Sequence, residues 1–193
     1  MVDWLVEIGK PILMLFIAID PIGTIPYYQA LIGRVEYGSR KRVLRQSVIV
    51  ASILLILFII VGDAILKLFN ITLYDFKVAA GIVLLIASIA LLLDIQLGSI
   101  KTGSETIAIV PLATPLLAGP AAISIAIFIK YSWGLPIALL TILVDSLITY
   151  IILASSNTIF NLIGRNGLLV IDKFMSLIMA ALAVSLIKGG LGV

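Results

Sequence analysis

The chain has 193 residues, of which 62% are hydrophobic and 12% charged, and it carries a formal net charge of +3 with no histidine and no cysteine. A soluble domain carries about 25% charged residues, so the composition excludes one and points to an integral membrane protein, a single transmembrane domain over 1–193. Without cysteine there is no disulfide or thiolate chemistry; without histidine, metal-hydrolase chemistry is disfavoured and any proton relay must use carboxylates.

Six spans of about 20 residues are predicted from the apolar runs. The first covers about 11–33, and its only charged side chain is Asp20, in Asp20-Pro21-Ile22-Gly23-Thr24-Ile25-Pro26. A carboxylate and two prolines inside a membrane span are expensive, so a plain anchor helix fits poorly. A basic loop follows, with Arg34, Arg40, Lys41, Arg42 and Arg45 against Glu36 alone. By the positive-inside rule loop 34–45 is cytoplasmic and both termini face outward. The second span covers about 43–66 and the third about 76–97. The fourth, about 106–129, is free of charge and contains Thr114-Pro115-Leu116-Leu117-Ala118-Gly119-Pro120. The fifth, about 134–157, is interrupted by Asp145, Ser146, Thr149 and Tyr150, and the sixth covers about 168–188. Counted alternately, the cytoplasmic side holds eight of the 13 basic residues, Lys101, Arg165 and Lys173 joining the five of the first loop. The positive charge therefore reflects topology rather than nucleic-acid binding.

The chain also reads as an internal repeat. At an offset of 94 residues Pro21 falls on Pro115, Pro26 on Pro120 and Asp20 on Thr114. Repeat one would cover about 1–98 and repeat two about 105–193, each a broken helix followed by two continuous ones. Three spans per half invert the second half. Inverted repeats with paired broken helices are the sequence pointer to a secondary transporter, with substrate held at the midplane. Chance matching of two prolines in proline-tolerant membrane helices is the alternative to the repeat, and simple proline kinking for shape the alternative to a binding site at the breaks.

Asp20, the second proline motif and Asp145 fall near the centres of their spans, at similar depth. An isolated carboxylate there costs about 3 kcal/mol, which is bearable only if it faces a cavity, finds a partner or is protonated. Asp20-Pro21 and Thr114-Pro115 read as half-helix starts, an N-cap followed by proline at the first position, with Gly119-Pro120 the alternative restart. Free N–H groups favour an anion and unwound carbonyls a cation, so two facing breaks suit a zwitterion. The expected substrate-binding residues are Asp20, Pro21, Gly23, Thr24, Ala113, Thr114, Leu117, Ala118 and Gly119, small enough to favour a compact ligand. Asp145, with Thr149 one turn on, is the better candidate for ion coupling, with Asp20 second; the ion would be H+ or Na+. A protonated Asp145 bonded to a neighbouring helix is the structural alternative. No other cofactor and no metal is expected, and the oligomeric state is left open.

These two motifs, with the six spans, the basic first loop and the chain length, resemble the MarC family of integral membrane proteins. The resemblance covers the whole chain and rests on Asp20–Pro26 and Pro111–Pro120. It implies a cell (inner) membrane transporter of glycine, alanine and similar amino acids, driven by a cation gradient, with broken first and fourth helices. Two rival readings remain. An intramembrane aspartyl protease would pair Asp20 with Asp145 close enough to share a proton, although Asp145 lacks the glycine-flanked setting of such enzymes. A non-transporting membrane subunit would show no ligand-dependent behaviour. Enzymatic activity is not expected.

Overall fold

A computed structural model describes residues 3–33, 35–93 and 117–192, which form helices and connecting turns with no strand among them. Helix α1 (Asp3–Ile19) and α2 (Ile25–Ile32) flank the first proline motif, and a single 3-10 turn (Tyr37–Ser39) leads into α3 (Arg40–Leu68). Helix α4 (Leu73–Leu92), α5 (Pro120–Trp133), α6 (Leu135–Ala154) and α7 (Ser156–Leu191) complete the described chain.

Among the described residues four stretches are long and apolar enough to cross a membrane: Tyr37–Leu68, Leu73–Leu92, Leu135–Ala154 and Asn166–Leu191. They correspond to the second, third, fifth and sixth predicted spans. The first span is split. With a rise of about 1.5 Å per residue, the 17 residues of α1 and the 8 of α2 are each too short for a hydrocarbon core of about 30 Å. The fourth span is described only from residue 117, and α5 has 14 residues.

Several boundaries move. Arg40, Lys41, Arg42 and Arg45 lie in the first turns of α3 rather than in a loop, because Arg, Lys and Gln are good helix formers. Asp75, expected to precede its span, sits inside α4 at the third position. There it closes a capping box with Thr72: the Asp75 N–H donates to Thr72 Oγ1 and the Thr72 N–H to the Asp75 carboxylate (2.9 Å). Helix α7 starts well before residue 168 and bends at Gly164, whose φ of 71° is the left-handed conformation that glycine tolerates.

The most extensive packing is α4 against α7. Gly81 lets the backbones meet: a Cβ there would lie 2.7 Å from the Ala183 carbonyl oxygen and 3.1 Å from the Ile187 nitrogen. Without a hydrophobic drive between helices in lipid, such close approach through small residues is what joins them. Around this pair, α6 packs against α1, α3 and α5, and α7 touches both halves of the broken helix. The core is continuous and runs through Leu15, Ile25, Leu55, Leu84, Ile125, Ile142, Leu153 and Ala183. Large residues such as Ile53, Leu57, Ile86, Leu143, Leu147 and Phe174 stay exposed, as expected where lipid replaces water as the solvent for that surface.

Candidate functional site

The first break is built by Asp20. Its N–H still donates to the Phe16 carbonyl (2.9 Å), closing α1, while its φ of 46° turns the chain out of the helix. Aspartate is among the few non-glycine residues that enter this conformation readily. Asp20 Oδ1 then accepts from the Gly23 N–H (3.1 Å), and its carbonyl accepts from the Thr24 N–H (3.0 Å). Asp20 therefore caps the break, as its sequence position suggested. The helix does not restart at Pro21, however. Residues 21–24 form a turn, and α2 begins at Ile25 with Pro26 in its first turn, a place where its missing N–H loses no helical bond. Pro21, Gly23 and Thr24 are all buried, and the Thr24 hydroxyl makes no capping bond.

The partner of Asp20 is Asp172 on α7, a residue the sequence pattern did not single out. The two carboxyls lie against one another, each with an oxygen at the place a Cβ on Gly23 would occupy. Both close on Gly23, where an added Cβ would collide with Asp172 Oδ1 and Asp20 Oδ2 and approach Asp20 Cγ to 2.9 Å. Glycine at position 23 is thus required for close approach rather than for a special φ. The only advance sign of Asp172 was a carboxylate a few residues inside the sixth predicted span, next to Lys173. That lysine is accounted for separately, with its Nζ donating to the Leu91 carbonyl at 2.5 Å.

The second break falls at Ala118-Gly119. Gly119 is in extended backbone (φ −70°, ψ 169°) and Pro120 opens α5, so a helix starts at the second proline of the motif; the expected start at Pro115 lies outside the described residues. Leu117 and Ala118 are buried and Gly119 half-buried, while Ala113 and Thr114 lie outside the described residues. In both motifs, then, the second proline (Pro26 or Pro120) lies in the first turn of the following helix.

A small, half-open cleft with room for roughly one water molecule lies between the two breaks. It is lined by Ile19, the last residue of α1, and by Leu117, with Val48, Ala51, Ser52 and Leu55 of α3 and Ser146 and Thr149 of α6. The Ser52 and Ser146 hydroxyls hydrogen-bond across it at 2.6 Å; with one hydrogen each, one serine donates across and the other to the carbonyl one turn back on its own helix, Val48 for Ser52 or Ile142 for Ser146. At the inner end of α2, Gln29 Nε2 donates to the Ser156 carbonyl (3.2 Å) and Asn157 Oδ1 (3.3 Å), tying the half-helix to the start of α7.

Asp145 lies on α6 with no exposed surface, and among the described residues neither of its oxygens has a hydrogen-bond partner; the same holds for the hydroxyls of Thr141 and Thr149. The Asp20–Asp145 pair that the protease rival requires is therefore not formed: Asp20 accepts from Gly23 and lies against Asp172, and Asp145 makes no hydrogen bond among the described residues. The separate expectation of a protonated Asp145 bonded to a neighbouring helix fails for the same reason. Among the described residues no three His, Cys, Asp or Glu side chains gather to hold a metal ion.

Comparison with known proteins gives a consistent family. The pattern described as MarC family integral membrane protein matches residues 5–192. A UPF0056 membrane protein of Methanocaldococcus jannaschii is 34% identical over 189 residues, covering 92% of each chain. One of Pyrococcus abyssi is 31% identical, covering 92% of this chain and 90% of its own. Another, from Buchnera aphidicola subsp. Baizongia pistaciae, is 27% identical over 96% of each. These names state membrane association and no activity. No solved structure matches the chain. The match of the family pattern over nearly the whole length, with relatives above 30% identity, establishes that the chain belongs to the MarC family of integral membrane proteins.

Proposed function

We propose that this chain is a secondary active transporter of small neutral amino acids, of the glycine and alanine type, working by alternating access on a proton or sodium gradient. The observation that carries the reading is the pair of helix breaks itself, at Asp20–Thr24 and Ala118-Gly119, which adjoin one small cleft lined by Ile19 and Leu117. Helix breaks facing a shared cavity offer backbone N–H and carbonyl groups to the two ends of a zwitterion. No Lys or Arg lines that cavity, which fits a neutral side chain on the substrate. Asp20, Pro21, Gly23 and Thr24 would contribute from the first break, and Ala113, Thr114, Leu117, Ala118 and Gly119 from the second. Asp145 and Thr149 would couple the ion.

In this reading the six spans form an inverted three-plus-three repeat. The matching roles of Pro26 and Pro120 at the starts of α2 and α5 support it. The basic start of α3 would face the cytoplasm, with both termini outside and the protein in the cell membrane. The protease rival would have to use the Asp20–Asp172 pair instead of Asp20–Asp145. Gly23 of the chain itself is packed against both carboxyls, where a scissile peptide would have to enter, and we propose no enzymatic activity.

The test is glycine and alanine uptake into proteoliposomes under separately imposed proton and sodium gradients. Uphill accumulation under either gradient is expected. Absence of both accumulation and counterflow would overturn the reading and leave a non-transporting subunit.

A further inference from the structure

Helix α3 opens with Arg40, Lys41, Arg42 and Arg45, and the chain then carries no charge over 46–62. Arg40 is committed locally: its Nε donates to the Val35 carbonyl (3.1 Å), and its guanidinium lies over the Tyr37 ring, 5.4 Å from the centroid. Lys41, Arg42 and Arg45 are exposed, and none makes an ion pair or side-chain hydrogen bond among the described residues. Spacings of three and four put these three on one face of the helix. In steps of four from Arg45 the same face continues through Ile49, Ile53 and Leu57, exposed at 49%, 58% and 51%. On a membrane helix such a row meets acyl chains. The charge-free run rises about 25 Å, close to the roughly 30 Å of a hydrocarbon core. Arg45 therefore stands at the edge of the hydrocarbon, with Lys41 and Arg42 one turn farther out, at the level of the lipid phosphates. Tyr37, 84% exposed just before α3, is an aromatic at the same boundary. Charges that serve topology alone need only lie at this end of the helix; these also share its lipid-facing side.

We infer that Lys41, Arg42 and Arg45 form a headgroup site for an anionic phospholipid in the leaflet at which α3 begins, its acyl chains lying along Ile49, Ile53 and Leu57. Guanidinium forks match phosphate oxygens in bidentate geometry, and the lysine adds a point charge. Their long stems let the charged heads reach the phosphate level while the methylenes stay against apolar surface. Three positive charges with no acidic partner favour a headgroup of net negative charge over a zwitterionic one, whose own ammonium they would repel. A soluble anion or a nucleic acid could use the charges but would leave the apolar row beneath them unused; a phospholipid occupies both. The site rests on the chain being an integral membrane protein and is independent of the transporter reading.

The experiment is thermal unfolding of the purified full-length protein in an uncharged detergent, titrated with phosphatidylglycerol, with phosphatidylcholine of the same acyl chains, and with inorganic phosphate. A ligand that binds only the folded state raises the melting temperature in a concentration-dependent way. Phosphatidylglycerol is expected to stabilise at lower concentration than phosphatidylcholine, with no response to inorganic phosphate over the same range, and high salt should weaken the preference. A basic residue near an anionic surface is worth roughly fivefold in affinity. The Lys41→Gln/Arg42→Gln/Arg45→Gln variant, which keeps helix propensity, should therefore lose about a hundredfold and no longer distinguish the two lipids. Arg42→Lys/Arg45→Lys keeps the charges and should keep the preference, as should Lys67→Gln at the far end of α3. Should the triple variant fail to fold, Arg45→Gln alone decides, with a loss of roughly fivefold. Equal responses to the two lipids, equal stabilisation by inorganic phosphate, or an undiminished preference in the neutralised variant overturns the site.

Discussion

Gly23→Ala is the sharpest single test of how the first break is assembled. The added methyl has nowhere to go: it meets one oxygen from each of two carboxyls and comes within 2.9 Å of Asp20 Cγ. Neither carboxyl can simply swing clear. Aspartate is short, Asp20 is buried at 6% exposure and tied to the Gly23 N–H, and Asp172 is buried at 9% and packed against Asp20 and Gly23. Overpacking of a tight interior costs about 2 kcal/mol. Displacing the Asp20 carboxyl also weakens one buried hydrogen bond, worth about 1 kcal/mol. A loss of about 3 kcal/mol is therefore expected, large against a total stability of roughly 5–15 kcal/mol. Gly9→Ala is the control, because a Cβ at that helical position meets nothing within 4 Å, and a change from glycine to alanine within a helix is favourable by up to about 1 kcal/mol. The assay is the unfolding midpoint of each variant in detergent, read with the Gly23→Ala/Asp172→Ala double variant. Removing the Asp172 carboxyl relieves half of the collision, so the double variant should be less damaged than the sum of the singles by at least about 1 kcal/mol. Strict additivity, or a Gly23→Ala variant as stable as wild type, would refute the account.

Other expectations follow from the same packing. Asp172→Leu removes the partner of a buried carboxyl and should destabilise by about 1–3 kcal/mol, while Asp172→Asn, which can still hydrogen-bond Asp20, should lose less; equal melting of the two variants would count against the pair. Gly81→Ala drives a methyl into the Ala183 carbonyl and the Ile187 backbone, neither of which can rotate away, so it should be more damaging than Gly23→Ala in the same unfolding assay. Gly119→Leu places a bulky side chain at the second break and should abolish glycine binding in a protein that remains folded, checked by isothermal titration alongside size-exclusion chromatography. Normal glycine affinity in that variant would move the ligand away from the breaks.

Much of the architecture was legible along the chain because membrane insertion is scored locally. A run of apolar residues long enough for the bilayer is a helix regardless of its neighbours, since every backbone group must be satisfied within the segment. The break at Asp20–Thr24 was equally legible, because a proline and a carboxylate interrupt a helix wherever it packs. The restart at the second proline was harder to read. Both prolines of each motif satisfy the same first-turn rule, and the choice of Ile25 over Pro21 came with Asp20 adopting a left-handed conformation, for which the sequence carries no mark. The start of α3 at Arg40 was missed because charge was taken as loop, although arginine and lysine extend a helix beyond the hydrocarbon without penalty.

What the sequence by itself determined is the solvent of this protein, its helices and the two places where they break: all follow from composition and residue type within a window of a few turns. Only the tertiary structure decided which carboxyl meets which. Asp20 and Asp145 share a depth by sequence, yet α7 delivers Asp172 to Asp20 through the gap left by Gly23 and leaves Asp145 buried on α6 with no hydrogen-bond partner among the described residues. Depth is set by distance along one helix, whereas contact depends on how helices are rotated and how closely they approach. In lipid those are governed by where small residues such as Gly23 and Gly81 let backbones and carboxyls come together.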